Sequence, residues 1–416
     1  MKSERILDSL GGVDEKYIIE AAPGKEMSRN HRWIKWGAVA ACLALAVYGG
    51  MRLILRERPG SGQPLPEVVE GSGSGQALPM LTIAGNTGGE MGYEGYMAYD
   101  ISELIDQNPW SEDAELTVLP VFKNPLSYDQ DYIVSGADFE AMRAFLREVA
   151  RRLGMDPAGL EITDNALSAE HQAMVLEKMG GDVPEGYFDP TAVIAEENGI
   201  KIEVDVSMTA EITFSSGGIR LPDGYDFTHY ASYEDILAVA GYLQETYNDL
   251  LGMERPMADV CGGDYNIYHQ QKYGIGFYDG AGSLTDRILD YHFKNVTFAC
   301  NDEGELFLIR IFNHDLSGKI GDYPIISADE AETLLLEGKY ITTAPYEMPG
   351  QEYIAKVELV YRTGKYEECY MPYYRFYVEL PEMEREGLKD FGTYYVPAVE
   401  EAYITNMPVW DGSFNS

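Results

Sequence analysis

Residues 36–55, WGAVAACLALAVYGGMRLIL, constrain the rest of this chain. The run holds no charge from Trp36 to Met51, and only Arg52 before its end. Crossing a bilayer takes about 20 residues of apolar helix, so a run of this length is a candidate membrane span. It divides a short head of mixed charge from a long acidic body. Residues 1–58 carry 10 Lys/Arg and 7 Asp/Glu, whereas the other 358 carry 21 and 62. A body this acidic repels nucleic acid and anionic headgroups, and its charge keeps an exposed domain soluble. No nucleic-acid partner is expected.

Lys25, Arg29, His31, Arg32 and Lys35 crowd the near side of the run against Glu26 alone. Basic residues before a span hold that side in the cytoplasm, although Arg52, Arg56 and Arg58 beyond it reduce the contrast. Trp33 and Trp36 suit the headgroup level. The expectation is a single pass through the cell membrane: residues 1–35 a cytoplasmic head, 36–55 a transmembrane helix, and the C-terminal domain extracytoplasmic. Two short helices, 3–10 and 13–22, are expected in the head, the second ended by Pro23. Two rival readings exist. Ala44-Leu45-Ala46 offers a signal-peptide cleavage site, but the region before the run is too long for an ordinary leader. Val39-Ala40-Ala41-Cys42 has the form of a lipobox, but only Trp36, Gly37 and Ala38 stand between it and Lys35.

Residues 56–95 include PGSGQPLPEVVEGSGSGQALP, and this Gly/Ser/Pro composition predicts a flexible linker. Beyond it the hydrophobic pattern repeats a helix followed by strands. Helices are expected over 136–153, 168–179, 232–251 and 327–337. Ser327 with Glu330 forms a capping box, and Ser232 with Asp235 a shorter version of one. Strands are expected over 160–163, 199–207, 209–214, 264–270, 274–278, 291–300, 306–312, 353–362, 371–379 and 394–399. The fold class is therefore α+β, with helices on one face of largely antiparallel sheets. Residues 96–320 are read as two helix–sheet units and 321–416 as a third.

Chemistry-bearing motifs are sparse. The sequence has no G-x-S-x-G and no H-E-x-x-H, and its six histidines (31, 171, 229, 269, 292 and 314) do not pair at ligand spacing. Gly274, Gly276 and Gly280 miss the dinucleotide spacing, and Asp315, Gly321 and Asp322 miss the calcium-loop pattern. Cys42, Cys261, Cys300 and Cys369 form neither a disulfide framework nor a zinc spacing. No catalytic, cofactor-binding or metal-ligating residue is assigned, and no cofactor is expected. The dense tyrosines Tyr366, Tyr370, Tyr373, Tyr374 and Tyr377 admit two readings: ordinary sheet packing, or an exposed aromatic face for a peptide or glycan. Alternation places Tyr373, Arg375 and Tyr377 on one face.

Five stretches carry a resemblance. ERILDSLGGVDEKYIIEAAPGK with the WGAVAACLALAV run resembles the tail and anchor of anti-sigma-factor-like membrane proteins of clostridia-like Gram-positive bacteria. YPIISADEAETLLLEGKYITT, with VELVYRTGKYEECYMPYYRFYVEL and YYVPAVEEAYI, resembles the outer domains of YycI/YycH-type two-component regulators and the smaller PepSY-like module. The resemblance implies a non-enzymatic, membrane-anchored regulator or sensor acting by protein–protein interaction in envelope signalling. Its partner would be a sensor kinase or, through residues 1–35, a sigma factor. One His and no Cys in residues 1–35 depart from a zinc-binding anti-sigma head. An envelope enzyme with an unrecognised acidic site is the remaining alternative.

Overall fold

The alternating residues after position 199 sit at the centre of the largest sheet. Ile200–Asp205 pairs antiparallel with Thr209–Phe214, setting Ile202 opposite Ile212 and Val204 opposite Ala210, all four buried. The computed structural model describes residues 68–69, 78–83 and 93–412, apart from 129–133, 182 and 365–366. The expected head, membrane span and most of the linker lie outside the described residues. Among the described residues no helix is long and apolar enough to cross a membrane.

The large sheet has eight antiparallel strands. Their order is Pro256–Tyr265, Gln271–Asp279, Asn295–Cys300, Leu306–Phe312, Thr209–Phe214, Ile200–Asp205, Ala192–Glu197 and Thr163–Asp164. Helix α1 (Phe139–Arg152), capped by Asp138, buries Met142, Leu146 and Val149 in the core on one face of this sheet. Helix α2 (Ala169–Lys178) buries no residue. Helix α3 (Tyr233–Thr246), capped by Ser232, adds Ile236, Val239 and Leu243 to that core. Helix α4 (Leu284–Phe293) sends Ile288 and Phe293 into a second core instead.

That second core belongs to a sheet ordered Ile341–Thr342, Lys389–Pro397, Pro372–Glu379, Ile354–Tyr361, with Gly95–Ala98 also pairing Lys389–Pro397. Helix α5 (Ala328–Leu336) packs Ala331 and Leu335 with Leu359, Tyr374, Phe376 and Val396. The opposite face of the sheet carries Val360 and Tyr373. These meet Val121 and Tyr323 from a three-stranded sheet of Lys319–Pro324, Val118–Lys123 and Cys369–Tyr370.

The α+β class and its antiparallel sheets are present. Several elements differ from the sequence expectation. The first two helix–sheet units share one sheet, and residues 93–128 fold with the C-terminal sheets, so residue 320 is not a packing boundary. Residues 266–270, expected as strand, are the turn of the hairpin between Pro256–Tyr265 and Gln271–Asp279, held by Asn266. Residues 291–293, also expected as strand, end α4; the aromatic run YHF masked a helix whose Ser283–Asp286 capping box marks its start. The expected strand 160–163 shrinks to Thr163–Asp164, and the helix expected through 251 breaks at Tyr247.

Residues 78–83 fall in the expected linker yet pack on the body. Leu81 is 3% and Ile83 4% exposed. The Leu81 amide donates to the Tyr403 carbonyl at 2.8 Å, and Thr405 N donates to the Leu81 carbonyl at 2.9 Å. Asn406 takes the Ile83 amide at 2.8 Å and donates to its carbonyl at 2.7 Å. The apolar LPMLTI within the Gly/Ser/Pro context accounts for the difference. Leu81→Ala is expected to destabilise the body by about 2–4 kcal/mol, measured by denaturant unfolding, where a solvated linker position would cost close to nothing.

Candidate functional site

One face of the second sheet is apolar, the other carries a charged row beside Val360 and Tyr373, and alternation assigns them. In Ile354–Tyr361 the residues Val357, Leu359 and Tyr361 point to the apolar side, leaving Glu358 and Val360 on the other. Glu358 lies directly opposite Arg375, which lies opposite Tyr395, so one row crosses three strands. Arg375 donates Nε to Glu358 Oε2 at 3.1 Å and Nη2 to the same oxygen at 2.5 Å. Lys356 Nζ reaches Glu358 Oε1 and Asp106 Oδ2, both at 2.5 Å. The Tyr377 hydroxyl also donates to Glu358 at 3.2 Å. The Glu358 side chain is only 4% exposed.

This row sits at a seam. Residues 100–110 cross from the second sheet to the large one. Ile105 and Gly262 exchange backbone hydrogen bonds at 2.9 and 3.0 Å, and Gln107 N donates to Asp259 Oδ1 at 2.9 Å. Asn108 Nδ2 donates to the Leu359 carbonyl at 3.1 Å. The approach is close at Gly263 (φ +97°), where a Cβ would stand 1.9 Å from the Glu103 carbonyl oxygen, so only glycine fits.

Burial and charge set the protonation pattern. Burial raises Asp106, reinforced by the contact with the Glu358 carboxylate. Burial also acts to raise Glu358, but hydrogen bonding with Asp106 and the charges of Arg375 and Lys356 outweigh it and hold this carboxyl low. Of the two, Asp106 is therefore the first to take up a proton as pH falls. Asp259 is pushed up to about 6, mainly by burial. His292 is pushed down to about 3 by burial and then by Arg375, so its ring is neutral.

At one end the row opens into a cleft of about 390 Å³ lined by Glu94, His292, Thr343, Arg362, Arg375 and Tyr395 among others. Glu94 accepts the Tyr395 hydroxyl at 2.8 Å and lies 3.7 Å from Arg375 Nη1. Its amide donates to Thr343 Oγ1 at 2.8 Å. Arg362 pairs by Nε with Glu367 Oε1 at 2.8 Å and lies over the rings of Tyr373 and Tyr395 at 5.6 and 5.3 Å. Arg375 lies over Tyr377 at 5.1 Å. His292 packs between Tyr291 and Tyr361, and its Nε2 is shut from solvent with no hydrogen-bond partner among the described residues.

No site residue was assigned from the sequence, and the tyrosines were left with two readings. Tyr373, Arg375 and Tyr377 do share a face, but Tyr370, Tyr373, Tyr374 and Tyr377 are all buried, which rules out an exposed aromatic face built from them. Tyr373 and Tyr377 instead serve as platforms for guanidinium groups. A sequence signal for the site existed: Lys356, Glu358 and Arg362 alternate with apolar residues in a strand otherwise apolar on both faces. Cys369 is buried and Cys261 is pushed up to about 12 by burial, so both are poor nucleophiles. Among the described residues no His/Cys/Asp/Glu cluster suited to a metal ion occurs. A larger depression of about 560 Å³ lies between Asp138, Met208, Lys294 and Ser317 and carries one cation, Lys294, against the two guanidiniums of the cleft. No protein-family model matches this sequence, and comparison with curated proteins finds no match.

Two outcomes follow from the seam. Glu358→Gln leaves Arg375 and Lys356 without their shared carboxylate and is expected to cost about 3–5 kcal/mol in denaturant unfolding. For Asp259 the folded pKa lies above the unfolded one, so its favourable contribution is full below about pH 4 and is lost as pH rises toward 6. Asp259→Asn should match the native chain near pH 4 and exceed it above pH 6, by up to about 3 kcal/mol, in melts followed across that range.

Proposed function

We propose that this chain is a single-pass membrane protein of Gram-positive type whose acidic outer body acts as a non-enzymatic regulator or sensor in envelope signalling. The observation that carries the reading is the uncharged apolar run 36–51 between a basic-flanked head and a body holding 62 acidic against 21 basic residues after position 58. The compact body supports it by offering a structured receiving domain, with a polar cleft whose charged groups are held in ion pairs. Residues 78–83 add a point at which the chain is fixed to the folded body. A sensor kinase in the same membrane is the partner class that fits this arrangement, reached through the span and the outer body.

Protease added to intact cells is expected to digest a C-terminal epitope while leaving an N-terminal one protected. Protection of the C-terminal epitope would sink the reading. Ala44→Arg, which places a charge near the middle of the run, should reduce membrane insertion in a carbonate-extraction assay.

A further inference from the structure

We propose that the cleft over Arg375 binds a small zwitterion, a free amino acid or dipeptide, with Glu94 receiving its ammonium and Arg362 and Arg375 its carboxylate. The inference deepens the sensor reading and rests on it for its biological meaning.

The argument is one of charge and space. The lining presents one carboxylate and two guanidiniums, with side-chain exposures of 33% for Glu94, 29% for Arg362 and 21% for Arg375. All three are therefore partly open to an incoming group. A simple anion would meet Glu94 and approach a strongly acidic body. A simple cation would meet the two guanidiniums. A ligand carrying both charges, neutral overall, meets neither penalty and adds charge-assisted hydrogen bonds to both signs beside the pairs Arg362–Glu367 and Arg375–Glu358. The Thr343 hydroxyl, which accepts the Glu94 amide, still has its own proton to donate to a carboxylate. The volume, about 390 Å³, lies at the small end of the roughly 300–1,000 Å³ usual for ligand pockets, which favours one or two residues over a longer peptide. A glycan would need bare aromatic faces, and here Arg362 already lies over Tyr373 and Tyr395.

The test uses the full chain in detergent. L-Alanine, L-glutamate, L-lysine and L-alanyl-L-alanine are compared with propionate, ethylamine and N-acetylglucosamine by thermal shift and titration calorimetry. At least one of the four zwitterions should raise Tm and bind, while propionate and ethylamine, each lacking one charge, do not. Glu94→Gln should weaken that binding about tenfold or more, a loss of about 1.4 kcal/mol. If that variant fails to melt cooperatively, Arg362→Gln is read in its place with the same expectation. Binding by none of the four, equal binding of propionate, binding of N-acetylglucosamine alone, or unchanged affinity in the variant overturns the proposal. These results are independent of the protease assay. A dry cleft with an outer body defeats only the ligand assignment, and a filled cleft on a cytoplasmic body defeats only the sensor reading.

Discussion

The ion-paired row Lys356–Glu358–Arg375 is the constraint on which the described body depends. Charges taken out of water are costly unless each is paired and hydrogen-bonded. Here Glu358 is shared by Arg375, Lys356 and Tyr377, and Lys356 is shared in turn with Asp106. Asp106 belongs to the segment that also bonds the large sheet through Ile105 and Gln107. The row therefore does more than fill one face of a sheet. Its geometry fixes how residues 100–110 lie, and through them how the two sheets meet. A hydrophobic seam of equal area would hold the sheets together but specify their register less sharply, since apolar contact is non-directional.

The same row explains the tyrosine density. A chain with so few basic residues in its body places Arg362 and Arg375 inside, over tyrosine rings and against carboxylates. An aromatic face attracts a cation, and the hydroxyls of Tyr377 and Tyr395 add donors to the carboxylates of Glu358 and Glu94. Tyrosine supplies both functions from one side chain, which phenylalanine does not. In sequence the tyrosines admit both sheet packing and a binding surface because burial is invisible there, and in the structure Tyr370, Tyr373, Tyr374 and Tyr377 are packed inside.

Helices and their ends were the most legible part of the sequence. Ser327 with Glu330, Ser232, and the glycine after α5 act locally, so their signal is contained in a few adjacent residues. The strands Val118–Lys123 and Lys319–Pro324 went unseen, since Pro120 and Pro324 lie within them and proline argues against a strand wherever pairing is unknown. Helix α4 is hidden by β-favouring aromatics at its end, of which Phe293 enters the second core and Tyr291 packs on Tyr278 of the large sheet. The site was the least legible. Glu94 with Asp106, Asp259, His292 and Arg375 come from four distant stretches of chain, and only the tertiary fold brings them together.

One further step concerns the route of the chain. Residues 78–83 are stitched to 403–406, and Glu94 directly precedes Gly95–Ala98, which pairs with Lys389–Pro397. Residues 100–110 then lead into the seam. Among the described residues from 78 to 110 the chain thus supplies, in order, the attachment point, a wall of the cleft and the stitch between sheets. Glu94 is held on both sides: its amide donates to Thr343, and its carbonyl accepts from Thr393 N at 3.2 Å. A displacement of Glu94 would disturb the Tyr395 and Arg375 contacts at once, and Arg375 bonds the same Glu358 that anchors Lys356 and, through it, Asp106. Cleft and seam are coupled by a continuous set of charged contacts, so a change in one has a physical path to the other that runs along the same stretch of chain that leads back toward the apolar run.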